Sequence, residues 1–183
     1  MTEITERPVR LTPTVERFVL HWGEMGARWG VNRSVAQIHA LLYLATAPLT
    51  AEDIAETLSL ARSNVSVSLR ELQALGLVQL AHVLGDRRDR FEAKTDLWAM
   101  VETIVEERKR REIDPTVAML RACVAEAERD RATPGAVKQR IGDMLTFMET
   151  TTRWYDEMRR LPRASALALM KMGGKIARLL GRA

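Results

Sequence analysis

LTAEDIAETLSLARSNVSVSLRELQALGLVQLAHVLGDRRDRFEAKT, residues 49–95, decides how this chain folds. Thr50 precedes Ala-Glu-Asp, so its hydroxyl can cap a helix while Asp53 answers three residues later. Ile54, Ala55 and Leu58 share one face of that helix, and Leu60 closes the turn. A second helix is predicted from about Arg62 to Leu75, where Gly76 supplies the left-handed residue that ends it. Its core face is Val65, Leu69 and Leu72. A rotation of about 100° per residue puts Ser63, Asn64, Val67 and Arg70 on the opposite side. Residues 77–83 are rich in β-formers, Gly85-Asp86 signals a turn, and Phe91 and Ala93 alternate after it.

Two short helices, a strand, an arginine-studded turn and a return strand, in that order, predict a winged helix-turn-helix. Such a module lays one helix in a DNA major groove and one hairpin against the flanking backbone. The exposed helix face suits a groove. Arg70 can pair bidentately with a guanine edge, Asn64 with an adenine, and Val67 can touch a thymine methyl. Arg62, Ser63 and Ser66 lie near the helix N-terminus, where phosphate oxygens are favoured by free N–H groups and the dipole. A solvated face of small polar residues would look much the same, so the hairpin is the more telling half. Arg87, Arg88 and Arg90 cluster on its tip and return strand, a cluster that hairpin stability does not require. Arginine is drawn to the negative potential of a narrow minor groove. Asp86 and Asp89 read as side chains that hold those arginines in position.

The segment Asp86-Arg87-Arg88-Asp89-Arg90, leading through Phe91-Glu92-Ala93 to Lys94-Thr95, resembles the MarR superfamily, as do Ser63-Asn64-Val65-Ser66 and Leu69-Arg70-Glu71-Leu72. His21-Trp22-Gly23, Ala36-Gln37-Ile38, Leu41-Leu42-Tyr43-Leu44, Pro48-Leu49-Thr50 and Gly85-Asp86 make the chain similar to the GbsR-like branch. That similarity continues through Thr95-Asp96-Leu97-Trp98 to Arg110-Arg111-Glu112-Ile113. The resemblance implies a dimeric winged-helix transcriptional regulator, usually a repressor, acting on pseudo-palindromic DNA. The branch's namesake senses choline, a specificity not carried over to this chain. Ala61 stands where relatives usually place a capping serine, a change worth about 1 kcal/mol at a helix start.

The chain has 183 residues and a net charge of +4. Seven Arg or Lys and no acid occur in residues 158–183, which leaves −3 for the rest. Contact with DNA must therefore rest on where the charge sits. Glu52, Asp53 and Glu56 lie on the supporting helix while the arginines gather on the reader and wing. The single Cys123 excludes an intrachain disulfide, and no signal peptide or membrane-spanning apolar run is seen, so a cytoplasmic protein is expected.

Helices flank the module on both sides. Thr14 is expected to cap a helix carrying Val15, Phe18, Trp22, Met25 and Trp29. Ser34 and Gln37 form a capping-box pattern for the next helix, which turns Ile38, Leu41, Leu42 and Ala45 inward. Thr95 or Asp96 opens a helix to about Ile113, and Asp114-Pro115 and Thr133-Pro134 read as cap-plus-proline starts of two more. Val137, Ile141, Met144, Met148, Thr151, Tyr155 and Met158 follow a strict four-three alternation, a heptad seam that asks for a partner helix. The fold expected is mainly α with a small β-hairpin wing, flanked by N- and C-terminal dimerisation helices. Its parts are an N-terminal helix (1–33), the winged module (34–95), a helical dimerisation and effector region (96–160) and a basic tail (161–183). The expected partners are double-stranded DNA and a second copy. Trp22, Trp29, Tyr43 and Trp98 are candidates for caging a quaternary amine or aromatic effector, although packing on apolar faces would also account for them.

Catalysis finds no support. His21, His39 and His82 fall in different elements, one cysteine cannot build a zinc cluster, and no phosphate-binding loop or nucleophile motif occurs. No catalytic residue, metal or cofactor is expected. Cys123 shares a helical face with Leu120, Val124 and Ala127 and reads as a small hydrophobe. The tail is apolar and cationic, with Gly173-Gly174 expected to break it. It could wrap a partner subunit, touch DNA outside the site or rest on an anionic membrane, with no stable insertion. The alternative function is that of a winged-helix protein-interaction adaptor that assembles a complex through its long helices, with the arginine wing meeting an acidic partner.

Overall fold

Pro13 pre-sets the first turn of α1 (Pro13–Arg28), and Thr12 caps it, Oγ1 accepting from the Val15 N–H at 3.3 Å. The cap is therefore Thr12, because a proline at the first helical position leaves Thr14 already inside. The computed structural model describes residues 11–82, 85 and 87–180. The chain divides into two compact units, residues 1–107 and 108–183.

In the first unit α1 turns Val19 and Gly23 fully inward, while Trp29, at the C-cap, is 60% exposed. The buried stripe is thus rotated from the one expected from Val15, Phe18, Trp22, Met25 and Trp29. Two glycines explain the rotation. A Cβ on Gly26 would lie 2.5 Å from the Ala36 Cβ, and one on Gly23 2.5 Å from the Gln37 Cγ. Helix α2 (Arg33–Leu44) approaches α1 more closely than side chains would permit. Its cap is Asn32, whose Oδ1 accepts from the Ser34 N–H at 2.8 Å, so Ser34 and Gln37 do not form the expected capping box. Val35, Ile38, Leu41 and Leu42 of α2 fill the core.

β1 (Leu49–Thr50) leads straight into α3 (Ala51–Leu58), where the Thr50–Asp53 capping box forms as its spacing demands. Ser59 then adopts a left-handed φ of 53° and turns the chain into α4 (Arg62–Ala74). Val65, Leu69 and Leu72 are buried, and Gly76 takes φ 68° just beyond the helix end. β2 (Val78–Ala81) and β3 (Arg90–Ala93) pair antiparallel, with Leu80 opposite Phe91, and β1 adds Leu49 on the other side of Phe91. The sheet has the order β1-β3-β2. Strand β2 is shorter than residues 77–83, and Val83 and Asp86 lie outside the described residues. Helix α5 (Leu97–Arg108) opens on Asp96, whose Oδ1 accepts from the N–H groups of Trp98 and Ala99, and it buries Met100.

In the second unit a π-helical turn (Lys109–Ile113) feeds α6 (Asp114–Arg129). Asp114 does not cap α6 as its proline suggested. Its carboxylate instead accepts from Lys109 Nζ at 3.0 Å, and the chain stays helical across it. Thr133 likewise does not cap α7 (Gly135–Arg159), which follows Pro134; its hydroxyl donates to Asp130. That bond, first, and the Ala132 N–H, second, hold the Asp130 carboxyl below its ordinary range. α6 and α7 pack on each other, with Arg121 Nε and Glu149 Oε1 at 2.7 Å between them.

The seven seam residues of α7 differ in exposure. Ile141, Met148, Tyr155 and Met158 are half-buried, whereas Val137, Met144 and Thr151 are exposed beside Phe147 and Trp154. Helix α8 (Arg163–Leu180) runs through Gly173-Gly174 without the expected break. Two glycines cost a helix about 1 kcal/mol each, too little to decide against the long alkyl residues around them. Among the described residues, no helix is long and apolar enough to cross a membrane.

Candidate nucleic-acid interface

Burial of Val65, Leu69 and Leu72 leaves α4 with one orientation in the first unit, and that fixes what it presents outward. Ser63, Ser66, Val67 and Arg70 are exposed and spaced as one helical face. Val67 is 54% exposed, so its methyl groups are open to contact from outside. Arg70 folds back along its own helix, Nε donating to the Ser66 carbonyl at 3.4 Å. Arg62 stands at the start of α4 with Glu52 of α3 at 3.5 Å. Both side chains are largely exposed, so this pair adds little stability.

Asn64 departs from the face expected for it. It is half-buried, its Nδ2 donates to Ser34 Oγ of α2 at 2.9 Å, and its Oδ1 accepts from Ser68 Oγ at 3.3 Å. The deviation has a simple origin. Asn64 lies next in sequence to Val65, and about 100° of rotation carries it to the edge of the buried stripe. Ala61 occupies the N-cap and gives α4 no side-chain cap. The first N–H groups of the helix are therefore left for an external acceptor.

The wing divides in a similar way. Arg87 and Arg88 are exposed at its tip, after Gly85 with φ 86°. Arg90 is half-buried on β3, and its Nη1 donates to the Pro48 carbonyl at 3.1 Å. It thus ties the hairpin to the turn preceding β1, a role the arginine cluster in the sequence gave no means of seeing. Gln79 Nε2 donates to Glu92 Oε1 at 2.7 Å across the strands, on a directly paired register. Asp89 is exposed, and Asp86 lies outside the described residues.

The four candidate cage residues divide too. Trp22 and Tyr43 pack against the core of the first unit, and Trp22 stacks on Phe18 with centroids 5.5 Å apart. Trp29 is exposed at the end of α1, and Trp98 is half-buried in the first turn of α5. In the same core His39 is 5% exposed with no described partner for Nε2, and burial lowers its pKa from the ordinary 6.5.

Residues 26–89, from the end of α1 to the tip of the wing, match the model of the MarR family. No curated protein matches the chain. A solved transcriptional regulator shares 18% identity over 79% of this chain and 95% of its own, with a TM-score of 0.59, which establishes the winged helix-turn-helix fold. The transcriptional regulator Tm0710 from Thermotoga maritima gives 16% identity, 79% and 93% coverage and a TM-score of 0.38. The MepR–DNA complex of S. aureus gives 18% identity, 76% and 93% coverage and a TM-score of 0.35.

Proposed function

We propose that the chain is a sequence-specific DNA-binding transcriptional regulator, a repressor of the GbsR-like kind, acting as a homodimer on a pseudo-palindromic operator. The observation that carries this reading is the outward face of α4. Ser63, Ser66, Val67 and Arg70 are presented by a helix that the core locks in place, with Arg87 and Arg88 exposed on the wing. Arg70 and Val67 have the chemistry to read a guanine edge and a thymine methyl. Ser63, Ser66 and the uncapped N–H groups of α4 offer donors to a phosphate, which would supply the cap that Ala61 lacks. Arg87 and Arg88 would grip the flanking minor groove or backbone. The match of residues 26–89 to the MarR family supports the same reading.

Two copies would place their recognition helices in successive major grooves, about 34–36 Å apart. The exposed apolar side chains of α7 support the second unit, residues 108–183, as the dimerising part. A small effector that prefers a dimer with misplaced recognition helices would release DNA by population shift. Mutation separates the roles. Arg88→Ala should weaken binding to all duplexes and lower the salt slope by about one, whereas Arg70→Ala should cost about 1–3 kcal/mol and relax preference at one base pair. Anisotropy titrations with duplexes selected by the wild type measure both. Unchanged affinity in both variants would contradict the assigned surface and favour a protein-docking wing.

A further inference from the structure

We propose that Ser34 is a positioning residue for the recognition helix, and that Asn64 acts on DNA by fixing the pose of α4 rather than by reading a base. The inference rests on the DNA-binding reading above. An asparagine that reads adenine needs both ends of its amide, the NH2 to donate and the carbonyl to accept. Both ends of Asn64 are already engaged inward. Its Nδ2 donates to Ser34 Oγ at 2.9 Å, and its Oδ1 accepts from the hydroxyl of Ser68, which is 1% exposed.

Ser34 is in turn a fixed reference. Its N–H is held by the Asn32 cap at 2.8 Å. Two residues on, Ala36 lies against Gly26, and Gln37 lies against Gly23, where α1 and α2 approach too closely for a Cβ. The first turn of α2 therefore cannot shift without moving α1. A polar bond in a partly dry site is directional where apolar contacts are not, so Ser34–Asn64 adds a directional tie at the first turn of α4 to the orientation that burial of Val65, Leu69 and Leu72 gives the helix as a whole. Through this bond, the angle at which Ser63, Val67 and Arg70 meet a groove is set from α1 and α2.

A double-mutant cycle tests this. Duplexes are selected from a random pool by the full-length wild type. Affinities of the wild type, Ser34→Ala, Asn64→Ala and the double variant are then measured on the best duplex and on every single base-pair replacement of it. Affinities are corrected for the folded fraction from thermal unfolding. Each single variant should lose about fivefold, the size of one net hydrogen bond, on all duplexes alike, and the double variant should lose no more than either. Ser34→Thr, which keeps the hydroxyl, should restore binding. Additive losses, or loss of preference at one base pair in Asn64→Ala alone, would overturn the proposal. So would an affinity loss that vanishes on correction for folding. A wild type that selects no duplex would defeat the DNA-binding reading itself, and with it this proposal.

Discussion

The two units of this chain use apolar residues in opposite ways. In residues 1–107, α1, α2, α3, α4, the sheet and α5 all contribute to one core, with Ile38, Leu41 and Ile54 wholly enclosed. In residues 108–183 the described buried hydrophobics are Val117, Leu120 and Ala127, all on α6. None of the 25 residues of α7 is buried, and Phe147 and Trp154 are 67% and 61% exposed. A unit that encloses its core can hold a surface in a fixed pose, which is what reading DNA requires. A unit with uncovered aromatic side chains asks for a second surface, which accords with the homodimer proposed for this chain.

The contrast between the two units rests most heavily on the enclosed core of the first. Ile38→Ala should lose about 2–5 kcal/mol in urea unfolding followed at the first unit, because its side chain is wholly enclosed and its truncation leaves a cavity. A loss below about 1 kcal/mol would mean that the core is looser than its burial indicates. Gly26→Ala should cost about 1–3 kcal/mol, since the added methyl meets the fixed Ala36 Cβ. Gly23→Ala should cost less, because the flexible Gln37 side chain can swing away.

Acid should act on the same core. Burial holds His39 below its ordinary 6.5, so below that pH the unfolded chain binds a proton that the folded chain resists. Stability contributed by the neutral imidazole is therefore complete above pH 6.5 and falls as the pH drops through it. Melting curves should show this decline, and His39→Leu should flatten it. An unchanged acid limb would assign the decline to other groups. The smallest effect on fold stability belongs to α7. Phe147→Ser with Trp154→Ser should alter the unfolding of the dilute chain by about 0.5 kcal/mol or less. The same variant should lower the solution mass from two chains to one, as light scattering would show. An unaltered mass would place the interface elsewhere.

Those differences also explain what could be read in advance. The α3–α4–wing order, the Thr50 capping box, the Gly76 stop and the buried face of α4 were legible because each depends on neighbours within about one helical turn. Strand β1 escaped because two residues carry no period, and it exists only through pairing with β3. The rotation of α1 depends on Gly23 and Gly26 meeting residues of another helix. The roles of Asn64 and Arg90 depend on Ser34 and Pro48, thirty and forty-two residues away. Arg70 and Val67 stand in the open where helical periodicity put them, and Arg87 and Arg88 stand exposed where the Gly85-Asp86 turn signal put them, since an exposed face needs no distant partner to define it. A four-three alternation marks a single helical edge in α7, whereas exposure varies along that edge in the folded chain because it depends on what packs against each residue.

In the proposed function, the first unit presents α4 and the wing to DNA as one specific surface. Fluorescence-anisotropy titration of the full chain against the duplex upstream of its own coding sequence and a scrambled duplex, across a salt series, tests it most directly. Tight, two-chain binding to the promoter duplex is expected, with clearly weaker binding to the scrambled one and affinity that falls steeply with salt. Weak binding, equal on both duplexes, would leave only the electrostatic attraction of the arginines and contradict a sequence-reading surface.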